Sequence, residues 1–322
     1  MTGLATRPGS PGAQILGVGG YLPARVMDNF ELETLVETND EWIRQRVGIE
    51  SRHIAAADES VVSMAAAASA KAVAASGIDP TAIDLVLVGS CTLPVPIPAG
   101  APRVATDIGA VRAGALDINA ACASFSYGLA QAADAIRAGS ARYVVVAGSE
   151  LFSRPFIDWT DRGTCVIFAD GAGAAVVGPS QVNGVGPVVW GADGSRASAI
   201  EIPDGEPFMK MEGQAVYRWA TAELKHVARE ACDAAGVAVA DLAAFVPHQA
   251  NLRIIESLGR ALGIDPDKVA RNVVTTGNTS AASIPLALAA LQDEGRLPSG
   301  EPVLLFGFGA GLAYAAQVVI AP

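Results

Sequence analysis

Residues 117–128 read Asp117-Ile118-Asn119-Ala120-Ala121-Cys122-Ala123-Ser124-Phe125-Ser126-Tyr127-Gly128. A short apolar run ends at Asp117, and beyond the cysteine Ala, Leu and Ile recur at helical spacing through Ile136. Cys122 is therefore expected where a buried strand or its turn feeds a helix. At a helix N-terminus the unpaired N–H groups and the macrodipole favour negative charge, which lowers a thiol's pKa and favours the thiolate. Cysteine is equally at home as an inert core thiol, so the reading of Cys122 turns on what other stretches bring to it.

Outward from this stretch, strands and helices alternate. Gln14–Gly20 reads as an opening strand and turn; Gly17-x-Gly19 is followed by Leu22 where a dinucleotide fingerprint needs a third small residue, so that motif is discarded. Thr38–Ile49 begins with N-cap residues and ends at Gly48, a short helix that sets Trp42 beside Arg44 and Arg46. Ser60–Ser76 is helical by period, Ile83–Gly89 is a buried strand, and Thr92–Pro102, rich in proline, is an extended loop. A strand is expected at Tyr143–Ala147, and glycine-interrupted strands follow the polar loop at Thr160–Thr164. The chain turns polar and Gly-rich around Pro179–Gly186. Beyond it come a helix over Val216–Gly236, a strand at Leu242–Val246, helices at Leu252–Leu262 and Ile284–Leu291, and closing strands at Val303–Phe308 and Leu312–Ile320. This order argues α/β layers in two similar halves, residues 14–182 and 183–322, preceded by a flexible tail over residues 1–13.

Composition narrows the function. A chain of 322 residues, 51% hydrophobic and 17% charged, buries a large core and is neither disordered nor a coiled coil. A net charge of −11 argues against nucleic-acid binding, because no excess of cations exists to neutralise phosphates. Cys91, Cys122, Cys165 and Cys232 share no CxxC spacing, and His53, His226 and His248 offer no pair at ligand spacing, so neither a disulfide framework nor a metal site is expected. Val303–Pro322 is uncharged and long enough to pass for a membrane span, but Gly307, Gly309, Gly311 and Pro322 interrupt it, and two buried strands fit better. A cytoplasmic protein without a membrane segment is expected.

Three further stretches carry chemistry. Val246-Pro-His-Gln-Ala-Asn-Leu-Arg-Ile254 places His248 at the end of a buried strand, where α/β sheets present site residues. Gly277-Asn-Thr-Ser-Ala-Ala-Ser-Ile-Pro285 sets Asn278 in a polar turn leading into a helix, and Gly307-Phe-Gly-Ala-Gly311 lets backbone N–H groups approach a ligand. A thiol, an imidazole, a carboxamide and a glycine turn are the parts of thioester chemistry. The thiolate attacks an acyl carbonyl, and N–H groups of Cys122 and Ala310 hold the oxyanion. His248 and Asn278 donate to a second thioester, whose enolate needs no carboxylate base if it arises by loss of CO₂.

With these motifs the chain resembles the β-ketoacyl-acyl carrier protein synthases III of the thiolase superfamily, in particular high-GC actinobacterial members. The resemblance spans Ile15 to Val319. It rests on Asp-Glu-Trp-Ile at 40–43, Ala-Cys-Ala at 121–123, Thr-Asp-Arg-Gly-Thr at 160–164, Asp-Gly-Ala-Gly-Ala at 170–174, Val-Pro-His-Gln-Ala-Asn at 246–251 and Gly-Asn-Thr-Ser-Ala-Ala-Ser at 277–283. It implies a five-layered αβαβα fold of two pseudo-duplicated halves, a homodimer, and no cofactor beyond coenzyme A thioester as substrate. It implies that an acyl-CoA primer acylates Cys122. His248 and Asn278 would then promote decarboxylation of malonyl-acyl carrier protein, whose carbanion attacks the acyl-cysteine in a Claisen condensation. By the same resemblance Trp42 and Arg162 sandwich the CoA adenine with Arg46 nearby, Asn251 supports the mouth of the site, and Arg253 receives the acidic carrier protein.

Two positions depart from the family. Ser124 stands where glycine is usual. Ile97, in the proline-rich loop, takes the place of a bulky aromatic that shortens the partner subunit's primer pocket, which suits longer or branched primers. A biosynthetic thiolase would need a second cysteine near the C-terminal glycine turn, and Gly307–Tyr314 holds none. The competing readings are an acyltransferase of the same fold that transfers without decarboxylation, and a non-catalytic subunit whose Cys122 is never acylated.

Overall fold

The structure is a computed structural model that describes residue 4 and residues 7–322. The first sheet takes β1 (Gly12–Tyr21), β2 (Leu85–Gly89), β3 (Gly114–Ile118), β4 (Val144–Glu150) and β5 (Gly171–Ser180) in the order β1-β5-β4-β2-β3. β3, β2 and β4 run parallel, while β5 is antiparallel to both β4 and β1. The second sheet takes β6 (Val189–Gly191), β7 (Ala244–Pro247), β8 (Pro302–Phe308) and β9 (Tyr314–Ile320) in the order β7-β8-β9-β6, with β7 and β8 parallel. Every residue of β4 and β7 is buried. Strands covered on both faces need such unbroken runs, because no side chain along them meets water.

A short helix α1 (Asp40–Arg46) is capped by Asn39, whose side chain accepts the Trp42 N–H at 2.8 Å. Helix α2 (Val61–Ser76) begins at a Ser60–Ser63 capping box, ends at Gly77 with φ +67°, and packs on the outer face of the first sheet. α3 (Ser124–Arg137) lies between the sheets. α4 (Lys225–Ala235) and α5 (Leu252–Leu262) cover the outer face of the second sheet, and α6 (Ser283–Asp293) joins α3 in the middle layer. The layers are thus αβαβα, as the resemblance implied. Leu129, Ala133 and Ile136 of α3 share one core with Ile284, Ala287 and Leu288 of α6. Small residues let this layer close tightly: a Cβ on Gly148 of β4 would stand 2.1 Å from the Ala281 carbonyl oxygen. That approach brings the end of β4 against the turn preceding α6.

Sheet membership changes between Ser180 and Val189, on either side of the 182/183 boundary. α6 nevertheless packs on β1 and β5, and α3 on β8 and β9, so the halves share their central layer. Three expectations are corrected. Of the expected tail 1–13, residues 1–3, 5 and 6 lie outside the described residues. Ser10 donates its N–H to Ile136 O (3.2 Å) and its hydroxyl to Ser180 O (3.1 Å), and β1 starts at Gly12. Main-chain pairing holds this segment where its side chains gave no periodic signal. Ala101–Asp107, at the end of the proline-rich loop, forms a helix with Pro102 in its first turn. The helix expected over 216–236 is broken: Gly213–Arg218 passes through a π-turn at Trp219–Glu223 before α4 begins at Lys225. Among the described residues no helix is long and apolar enough to cross a membrane.

Candidate active site

Cys122 sits in a 3-10 turn, Ala121–Ala123, between β3 and α3. Ala121 is held at φ +46°, a conformation that costs a non-glycine residue and persists only where its surroundings enforce it. The enforcing group is Ser124, whose hydroxyl donates to Ala121 O (2.7 Å) and accepts the Ala120 N–H (2.9 Å). From the second half Gly309 closes over the thiol: a Cβ there would stand 2.7 Å from Cys122 Cβ and 2.9 Å from Sγ. The expected lowering of the thiol's pKa is corrected. Burial pushes Cys122 up to about 12; the Ser280 hydroxyl and the N–H groups of Cys122 and Ala310 oppose the rise, and nearby Glu150 adds to it. Desolvation of the sulfur outweighs the helix terminus that motivated the expectation.

His248 follows β7, and its N–H donates to Phe306 O (2.8 Å), extending the β7–β8 ladder by one residue. Its Nδ1 lies 2.7 Å from Ser283 Oγ at the start of α6, and its ring meets Phe308 edge-on at 5.4 Å. Burial lowers its pKa to about 3, so the imidazole is neutral. Asn278 follows Gly277, which has φ +70°, and is tied to the first half by Ala169 N–H to its carbonyl (2.9 Å) and by its own N–H to Ile167 O (3.0 Å). The Ser280 N–H donates to Asn278 Oδ1 (2.8 Å), which turns the amide's Nδ2 protons toward the cavity.

One cavity of about 800 Å³ takes in Cys122, His248, Asn278 and Ala310 at its buried end, with Trp42, Arg46, Arg162, Asn251 and Arg253 nearer its exposed end. The Arg162 and Arg46 guanidinium carbons lie 5.0 and 5.7 Å from the Trp42 ring centroid, and that of Arg253 lies 5.3 Å from Tyr217. Asn251 caps α5 through the Arg253 N–H (2.9 Å) and donates to Arg46 O (3.3 Å), joining α5 to α1. A buried thiol beside a neutral imidazole and a carboxamide, under a rim of arginines, is equipped to move an acyl group from one anionic thioester carrier to another.

Residues 116–194 match the family model for 3-oxoacyl-[acyl-carrier-protein] synthase III, and residues 232–320 match that for its C-terminal region. Beta-ketoacyl-[acyl-carrier-protein] synthase III 4 of Streptomyces coelicolor is 50% identical over 97% of this chain and 99% of its own. The chain belongs to the 3-oxoacyl-[acyl-carrier-protein] synthase III family. The synthase III of Streptomyces glaucescens is 47% identical over the full length of both chains. Among solved synthase III structures, that from Aquifex aeolicus superposes with a TM-score of 0.92 at 38% identity, over 96% of this chain and all of the other. The priming β-ketosynthase from the R1128 polyketide biosynthetic pathway gives a TM-score of 0.96 at 45% identity, covering 100% of this chain and 99% of that one.

Within this synthase III fold, Ile97 is 84% exposed and does not line its own chain's cavity. The sequence reading passed over Arg218 and Tyr217, which line the cavity, and Glu150 and Ser280 beneath the thiol. A carboxylate closing the apolar run Val144–Glu150 was the signal for Glu150. Ser280 lay inside a recognised motif with no role attached.

Proposed function

We infer that the chain catalyses the decarboxylating Claisen condensation of an acyl-CoA primer with a malonyl-acyl carrier protein, giving a 3-oxoacyl-acyl carrier protein that starts a fatty-acid or polyketide chain. The observation that carries this reading is the convergence of Cys122, neutral His248 and Asn278 at the buried end of one cavity with arginines at its mouth. Cys122 attacks the primer's thioester, and the N–H groups of Cys122 and Ala310 receive the oxyanion. After CoA leaves, the malonyl thioester occupies the same cavity. Ser283 Oγ accepts the Gln249 N–H (3.3 Å) and lies 2.7 Å from His248 Nδ1; in the proposed tautomer it donates to Nδ1, which leaves the hydrogen on Nε2. Nε2–H and Asn278 Nδ2–H then donate to the malonyl thioester oxygen, stabilising the enolate left by CO₂. The enolate carbon attacks the acyl-cysteine carbonyl, and the thiolate departs. These steps use the thioesters alone, with no further cofactor.

Trp42 and Arg162 part to admit the adenine of CoA, and Arg46, Arg218 and Arg253 meet its phosphates and the acidic carrier on a chain of net charge −11. Exposed Val95, Ile97, Val111 and Leu116 suit burial in a homodimer that inserts Ile97 into the partner's primer pocket. We assign the reaction to the cytoplasm, where both thioesters are available. Incubation with an acyl-CoA and malonyl-carrier protein, followed by the carrier's mass, tests the activity. The expected product is a 3-oxoacyl carrier that has lost CO₂. Primer moved to another acceptor while the malonyl carrier stays intact would contradict the reading.

A further inference from the structure

Glu150, the last residue of β4, is a fully buried carboxylate that the steps above leave idle. Its oxygens accept from the hydroxyls of Ser90 (3.1 Å), Thr92 (2.6 Å) and Ser280 (3.0 Å), and from the N–H (3.1 Å) and thiol (3.3 Å) of Cys91. Among the described residues it forms no ion pair, and the titratable groups that act on it and on its neighbours are the thiols of Cys91 and Cys122. An isolated buried anion is costly and calls for a reason. Ser280 supplies one. It is a non-glycine residue held at φ +48°; its hydroxyl donates to Glu150 Oε1 (3.0 Å), lies 3.9 Å from Cys91 Sγ and favours the thiolate form of Cys122, with which it lines the cavity.

We propose that Glu150, acting through the Ser280 hydroxyl, takes the proton from Cys122 when the thiol attacks the acyl thioester. At rest the proton relay runs from Cys122 S–H to Ser280 Oγ and from Ser280 O–H to Glu150 Oε1. As the sulfur–carbon bond forms, the thiol proton passes to Ser280 Oγ while the serine's own proton passes to Glu150. The tetrahedral intermediate then breaks its bond to the CoA sulfur. That thiolate recovers the proton along the same two oxygens, which restores the Glu150 carboxylate. One negative charge occupies the cluster throughout and moves from carboxylate to sulfur, so no second buried charge is created. This is how a thiol pushed up to about 12 reacts near neutrality. His248 is unsuited to the task, because burial holds it neutral down to about pH 3. Glu150 shifts the other way: burial raises its pKa, opposed by its hydrogen bonds, so it accepts a proton more readily than an exposed carboxylate.

The proposal deepens the reading above and rests on Cys122 as the acylated residue. Its test needs no acyl-CoA, so the two fail separately. Carboxamidomethylation of Cys122 by iodoacetamide is followed by peptide mass against pH in the wild type, Glu150→Gln, Ser280→Gly and the double variant. If Glu150 acted only as a nearby anion, its removal would lower the thiol's pKa, speed alkylation at pH 7 and move the profile to lower pH. As proton acceptor it gives the opposite sign: alkylation at pH 7 slows by roughly 100-fold and the profile moves to higher pH. Ser280→Gly, which suits the positive φ, slows the reaction comparably, and the double variant is no slower than either single one. A faster Glu150→Gln enzyme, an unchanged Ser280→Gly enzyme or additive losses would overturn the proposal. Should Glu150→Gln fail to fold, the Ser280→Gly profile decides alone.

Discussion

At the Cys122 thiol, desolvation outweighs the Ser280 hydroxyl and the two backbone N–H groups that favour a thiolate, and the sulfur stays protonated at rest. At His248 the same force keeps the imidazole uncharged. In the proposed reaction the two groups divide the labour, one as nucleophile and the other as a neutral donor to the second thioester. His248→Ala and Asn278→Ala are expected to keep primer acylation, read as intact mass, while CO₂ release from malonyl-carrier falls by about 10²–10³-fold. Loss of acylation with normal CO₂ release would reverse the assignment. His248 also shapes stability. An unfolded histidine takes up its proton below about pH 6.5, the folded one only near pH 3, so between those values the unfolded chain binds more protons. Stability then falls as pH drops through that window, by up to about 1.4 kcal/mol per pH unit, and urea titrations of His248→Gln should show a shallower decline. Cys122, His248 and Asn278 were legible in the sequence because each interrupts an apolar or glycine-rich run with one reactive group. Glu150 and Ser280 were not legible as a pair: they lie 130 residues apart and meet only because Gly148 lets β4 approach the turn before α6.

Among the elements, the turn that bears Cys122 is the most constrained. Ser124 bridges Ala120 and Ala121 across it, which gives the departure from glycine a physical account. Ser124→Ala removes both hydrogen bonds and is expected to destabilise the fold by about 1–2 kcal/mol in urea titration. Gly309→Ala would drive a methyl group against Cys122 Sγ and should abolish acylation, whereas Gly263→Ala, at an αL helix end with nothing near its side, should leave acylation intact. Most strands and helices could be read from apolar period alone, α5 to its exact ends. The interruption before α4 could not. Trp219, in the π-turn, is buried and meets Phe308 edge-on at 6.3 Å, a contact across the second half that leaves no mark in the helical period.

Across the whole molecule, the arginine rim contrasts with a net charge of −11 and concentrates attraction at the cavity mouth. Arg253→Glu should raise KM for malonyl-carrier and weaken its salt dependence, with kcat for bound substrate little changed. Ile97→Phe, assayed with acyl-CoAs of increasing length, should shift preference to shorter primers if the residue reaches a partner's pocket, and should do nothing if the exposed loop stays in solvent. Acylation of Cys122 by an acyl-CoA is tested by the intact mass of the protein after exposure to a panel of acyl-CoAs. The expected result is an increase of one acyl group for at least one chain length and none in Cys122→Ser. No adduct with any acyl-CoA, or an adduct that survives in Cys122→Ser, would contradict it.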